Sequence, residues 1–179
     1  MATLTERMLG AAKLDAATYE EVEADTTATP QAMLVVVLAN LAAGVGALRE
    51  VGLGGLLVTT LVALIGWYVW AFVTYFVGTR FLPGPKTQAD LGQLLRTLGF
   101  SAAPGLIRVL GIVPGLHWLV SAVAALWMLV AMVVAVRQAL DYEGTGRAVA
   151  VCAIGFAFYI VVAVVLGTLL GVTAGIVGR

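Results

Sequence analysis

The chain has 179 residues, 61% hydrophobic and 11% charged, where soluble domains carry roughly 45–50% and about 25%. A water-soluble chain of this length could not hide so large an apolar share and still cover its own surface, so the composition defines an integral membrane protein. A formal net charge of zero excludes a bulk electrostatic attraction to nucleic acid, and the lone Cys152 excludes an intrachain disulfide.

Residues 1–30 form the only long water-compatible stretch and read as a cytoplasmic, acidic, amphipathic segment. No continuous apolar run follows a basic start, which argues against a cleaved signal peptide. Thr3 and Glu6 have the spacing of a capping box, and Leu4, Met8 and Ala12 follow at helical spacing. Asp15 is placed to cap a second helix with Tyr19 and Val22 on one face. Its other face holds Glu20, Glu21 and Glu23, with Asp25 beyond, and is expected to be solvated; the alternative is a docking patch for a basic partner. Thr26 to Pro30 breaks the helix.

The apolar blocks that follow predict an all-α polytopic protein, a bundle of five transmembrane helices over about 31–48, 53–78, 100–116, 118–136 and 148–177. Arg49-Glu50-Val51-Gly52 reads as a tight charged turn between the first two. The second ends in Trp67, Tyr68, Trp70, Tyr75 and Phe76, an aromatic belt. Pro83-Gly84-Pro85 is a turn, and Thr87 with Asp90 has capping-box spacing. Leu91, Leu94, Leu95 and Leu98 then share one helical face, with Gln88, Gln93, Arg96 and Thr97 opposite. This predicts an interfacial amphipathic helix over 87–99, too short to span, leading into the third membrane segment.

That third segment, FSAAPGLIRVLGIVPGLHW, carries Arg108 between Pro104 and Pro114. A guanidinium at the middle of a span costs about 2.5–3.5 kcal/mol on insertion scales, and the apolar blocks hold no carboxylate to pair with it. The prolines leave carbonyls near Phe100 and Leu110 free to accept from it. The favoured alternative is snorkelling past Leu116, ~12 Å away at helical rise. With five spans, Arg7, Lys13, Arg80, Lys86, Arg96, Arg137 and Arg147 fall on one side, against Arg49, Arg179 and a snorkelling Arg108 on the other. The bias puts the N-terminus in the cytoplasm and the C-terminus outside.

No catalytic constellation is present, which points to a non-enzymatic protein without cofactor or metal. His117, the only histidine, excludes a multi-histidine metal site. Gly167, Gly171 and Gly175 recur every four residues in the last span and form a groove for close backbone approach, either inside the bundle or against a second protein or copy. The candidate functional or packing residues are therefore Arg108, Pro104, Pro114, Gly99, Phe100, Gly167, Gly171 and Gly175.

The order of these parts resembles the Yip1 family of five-span membrane proteins, in particular its prokaryotic members. The likeness covers roughly residues 30–178: a polar N-terminal segment, a close pair of spans, an amphipathic lead-in, the step Gly99-Phe100-Ser101-Ala102-Ala103-Pro104, and the loop DYEGTGRAV at 141–149. The resemblance implies a prokaryotic cytoplasmic-membrane protein with a non-enzymatic role and membrane-protein partners. Small-GTPase binding does not carry over, because the family's Asp-Leu-Tyr-Gly-Pro motif is absent from Met1 to Pro30. The leading functional reading is a scaffold or partner-binding protein surrounded by lipid. The alternatives are an accessory subunit of a bioenergetic or transport complex, and a channel or solute/lipid carrier with Asn40, Thr59, Thr60, Arg108 and Ser121 on one polar path.

Overall fold

The Thr3 hydroxyl accepts from the Glu6 N–H, and the Glu6 carboxylate takes the Thr3 N–H at 2.7 Å, so α1 (Leu4–Ala12) starts with both ends of a capping box closed. Asp15 caps α2 (Ala16–Ala24) through the Ala17 N–H. A single 3-10 turn, Thr26–Ala28, leads into α3 (Thr29–Gly46), where Pro30 occupies a first-turn position that needs no N–H donor. The computed structural model describes the backbone of residues 2–46 and 48–177; the side chains of 46–51, 53, 162–163, 166–167 and 169–179 lie outside the described residues.

Helix α4 (Leu48–Phe76) continues as a π-helical turn, Val77–Phe81. Gly52, at φ 64° and ψ 176°, breaks helical geometry at the end of the expected turn at 49–52, and beyond it the chain runs back along α3, with Asn40 bonded to Thr60 at 2.8 Å. The remaining helices are α5 (Leu91–Phe100), α6 (His117–Ala139) and α7 (Thr145–Val177). Among the described residues, three helices are long and apolar enough to cross a bilayer: Thr26–Val45, Gly54–Phe81 and His117–Ala139. The part of α7 whose side chains are described without a break, Thr145–Val161, is apolar but by itself shorter than a span.

The segment expected as a third spanning helix over 100–116 is a 3-10 helix, Ala103–Ile112. Its ten residues extend ~20 Å at about 2.0 Å each, short of the ~30 Å hydrocarbon core. The cause is local. Pro104 stands in its first turn, Pro114 forbids continuation, and Gly115 turns the chain into α6 at φ 84°. This 3-10 helix lies along α3. A Cβ built on Gly99 would sit 2.7 Å from the Ala32 Cβ, and one on Gly105 would sit 3.2 Å from that of Ala39. The six-residue step from Gly99 to Gly105 thus keeps pace with the seven-residue step from Ala32 to Ala39, as the longer 3-10 rise requires.

Helix α5 also departs from expectation. Asp90, not Thr87, is its N-cap, in a capping box with Gln93; the Thr87 hydroxyl instead donates to the Leu140 carbonyl at 2.7 Å. Leu94, Arg96, Thr97, Leu98, Gly99 and Phe100 are all buried, so the face of α5 expected to be polar and exposed packs into the protein core instead. The core runs from Tyr19 and Val22 of α2 through Ala32, Val35 and Ala39 of α3 to Phe100 and the alanines at 135 and 139 of α6.

Candidate functional site

The N-terminal helices are docked, not solvated. Arg7 is 2% exposed and stands at the centre of the attachment. Its Nη2 donates to Glu21 at 2.8 Å and to Asp25 at 2.6 Å, and its Nη1 donates to Gln31 at 2.9 Å, tying α1 to α2 and to the start of α3. The planar five-donor guanidinium suits a site with three acceptors in different directions. The Thr27 hydroxyl, and then Arg7, hold the Asp25 carboxyl down at about 2. Trp127 of α6 donates its indole N–H to the Ala12 carbonyl at 2.8 Å, satisfying the open end of α1.

Arg96, expected on the polar face of α5, is buried and reaches across to α2. Its Nε donates to the Val22 and Glu23 carbonyls at 3.0 and 3.1 Å, and its Nη2 donates to Glu23 as well. A cation on the last carbonyls of a helix satisfies unpaired acceptors and complements the helix dipole. The acidic face expected to be solvated or to receive a basic partner thus meets groups of this same chain: Glu21 meets Arg7, Glu23 accepts from Gln93 at 3.0 Å, and Glu20 accepts from Gln138 at 3.3 Å.

Burial, and then the nearby Asp141, raises Glu23 from its ordinary 4.5 to about 7; Arg96 opposes them, and Glu20 and Asp90 add to them. A carboxyl with a raised folded-state value stabilises fully below 4.5, and that contribution is lost as pH rises through about 7. The half-buried side chain is partly screened, so the loss is about 1–2 kcal/mol. The purified protein is therefore expected to melt lower at pH 8 than at pH 5, and Glu23→Gln should remove most of that difference. An unchanged pH slope in the variant, followed by circular dichroism, would refute this role of Glu23.

The loops after α4 and α6 meet at the same end of the bundle. The Tyr142 hydroxyl donates to the Leu82 carbonyl at 2.7 Å and to that of Gly78 at 3.3 Å, and Lys86 lies 3.3 Å from Glu143. Asp141, at φ 50°, makes the turn that delivers Tyr142.

Between α3, α4, the 3-10 helix, α6 and α7 lies a cavity of about 690 Å³, within the size range of ligand pockets. Arg108 lines it, partly buried, with its Nε enclosed and without a hydrogen-bond partner among the described residues. Trp70 Nε1, on the α4 wall, is likewise enclosed and unpartnered. The ion pairs among the described residues involve Arg7 and Lys86, so no described carboxylate neutralises Arg108. Asn40 and Ser101 also line the cavity, but Asn40 donates to Thr60 at 2.8 Å and Ser101 to the Leu98 carbonyl at 2.7 Å.

The other sequence candidates separate into groups. Gly99 lies against Ala32 of α3, Phe100 beside it is fully buried, and Pro104 is buried at the start of the 3-10 helix. Pro114 is exposed in the turn before α6. Gly167, Gly171 and Gly175 belong to α7, but their surroundings lie outside the described residues. Of the polar path considered for a channel, Asn40 and Arg108 line the cavity, whereas Thr59, Thr60 and Ser121 do not. Arg7 and Arg96 went unrecognised as structural centres, because a single basic residue in an amphipathic helix reads as surface; only the neighbouring run of uncompensated acids hinted at a cation. Among the described residues no three of His, Cys, Asp and Glu gather as metal ligands.

Long apolar helices around a buried polar clamp and an apolar cavity define an all-α integral membrane protein. A family model described as the Yip1 domain matches residues 16–166. The chain belongs to the Yip1 family. No curated protein and no solved structure matches it.

Proposed function

We propose that this protein is a non-enzymatic membrane scaffold that binds another membrane protein, or a second copy of itself, along the outer face of α4. The observation that carries this reading is the uneven burial of the spans. Only 6% of the apolar stretch of α4 is buried, against 39% for the first span and 22% for α6. Leu57, Leu61, Ile65, Tyr68 and Phe72 recur at helical spacing, each at least half exposed. Helices in lipid associate by close packing rather than by hydrophobic drive, and an unpaired face of this length offers that surface.

The same reading places five passes in the cytoplasmic membrane of a prokaryote, with the N-terminus inside and the C-terminus outside. The contacts of Lys86 with Glu143 and of Glu20 with Gln138 support it by gathering the N-terminal helices and both basic loops at one end. Helix α6 starts at the opposite end, so the chain from Asp90 to His117 has to traverse the bundle. Helix α5 and the 3-10 helix do so together, ~15 Å and ~20 Å long. The third pass is then composite, and shifted toward the N-terminus relative to 100–116.

A photo-crosslinking residue at Leu61 or Ile65 tests the scaffold. A discrete protein adduct, absent when the same residue replaces the buried Val36, is the expected result. Adducts to lipid alone at Leu61 and Ile65 would overturn it.

A further inference from the structure

The cavity holding Arg108 has a chemistry of its own. Its walls are apolar along most of their length, with Ala39, Met128 and Phe156 contributed by three different helices. Of the four enclosed polar side-chain atoms without partners among the described residues, two line this cavity, Arg108 Nε and Trp70 Nε1, and both are donors that can never accept; the others are Arg7 Nε and His117 Nδ1. A guanidinium left unneutralised beside apolar walls is costly, and the chain offers no described acid to relieve it. The missing group is therefore an anion, and the space around it suits hydrocarbon.

Depth and access narrow the choice. Gly105 lies level with Ala39, and Arg108 stands ~6 Å further along the 3-10 helix. Helix α3 runs ~10.5 Å beyond Ala39 to Gly46, which places Arg108 ~5 Å short of that end of the bundle. From there the cavity extends back toward Leu98 and Val73. Its walls include Val69, Leu129, Phe158 and Tyr159, each more than 40% exposed on the outer faces of α4, α6 and α7. The mouth thus opens sideways, into the bilayer rather than into water.

We propose that this cavity is a binding site for an anionic glycerophospholipid, its phosphate accepting from Arg108 and one acyl chain lying inward past Trp70, between α4, α6 and α7. The site neutralises Arg108 from outside the chain, so neither snorkelling nor the free carbonyls of the proline segment is needed to accommodate it. This inference is independent of partner binding along the outer face of α4, and its test does not use that face.

The full-length protein, purified in a neutral detergent, is titrated with dioleoyl phosphatidylglycerol, dioleoyl phosphatidylcholine or oleate, and native mass spectrometry reads the bound fraction. Both headgroups carry the phosphate, but the quaternary ammonium of phosphatidylcholine offsets its charge, so phosphatidylglycerol, with a net negative charge for the unneutralised guanidinium, is expected to bind at least about tenfold more tightly. Arg108→Leu should reduce phosphatidylglycerol binding to the phosphatidylcholine level, and Arg108→Lys should restore part of the difference. Ala125→Trp fills the cavity from an exposed position of α6 and leaves the charge in place; it should displace the lipid without lowering the melting temperature. Equal binding of the two phospholipids, a preference that survives Arg108→Leu, or retention in Ala125→Trp would each overturn the site. Binding of oleate with none of phosphatidylglycerol would overturn the assignment to a phospholipid.

Discussion

Replacing Arg7 with leucine is expected to release the N-terminal helices from the bundle and to lower stability by about 2–3 kcal/mol. The estimate starts from the 3–5 kcal/mol typical of removing one partner from a buried ion pair. It is reduced because Glu21 and Asp25, 39% and 20% exposed, can recover water once the guanidinium is gone. For a chain of this length the melting temperature should fall by roughly 5–10 °C. Arg7→Lys should recover little, since one ammonium cannot reach Glu21, Asp25 and Gln31 from a single position as the fork does. Limited proteolysis separates this from a general loss of folding: cleavage before Thr29 should accelerate while α3 to α6 stay protected. A variant as resistant there as the wild type would show that Arg96 and Trp127 hold the segment without Arg7.

How much of this arrangement could be read from the residues divides along the range of the interactions. Thr3 with Glu6 and Asp15 with its helix were legible because a cap is local: donor and acceptor lie within three residues. The apolar blocks that became α3, α4, α6 and α7 were legible because their hydrophobicity is continuous. The third block misled because an apolar run with two prolines has the composition of a span, while Pro104 and Pro114 set its backbone to a short 3-10 helix. Thr87 and Asp90 had the right spacing for a cap, but Leu140, 53 residues away, took the Thr87 hydroxyl. Arg96 read as solvent-facing because its partners are backbone carbonyls of α2, which no side-chain pattern reveals. Arg108 was legible as a charge with no acid near it in sequence, yet the cavity beside it is formed by five further helices whose proximity only the fold supplies.

Gly99 is where that long-range packing has the least slack, and Gly99→Ala is expected to cost about 1–3 kcal/mol, as overpacking a filled contact does. A Cβ there would meet the Ala32 Cβ at 2.7 Å and the Ala32 carbonyl carbon and oxygen at 3.0 Å each. The last two belong to the backbone of α3, which cannot rotate away as a side-chain tip can. Phe100, fully buried on the next residue, prevents α5 from simply turning the new methyl outward. Gly66 of α4, with nothing within 4 Å of its built Cβ, provides the control: Gly66→Ala should be neutral or stabilising by up to about 1 kcal/mol, the ordinary helical preference for alanine. Adding Ala32→Gly to Gly99→Ala should restore only part of the loss, because it removes the 2.7 Å contact and leaves both backbone contacts in place. Since α5 runs directly into the 3-10 helix, the displacement should also reach Arg108 and weaken retention of phosphatidylglycerol. Melting of the four proteins in one detergent measures the first effect, and equal loss in Gly99→Ala and Gly66→Ala would contradict a specific contact with α3.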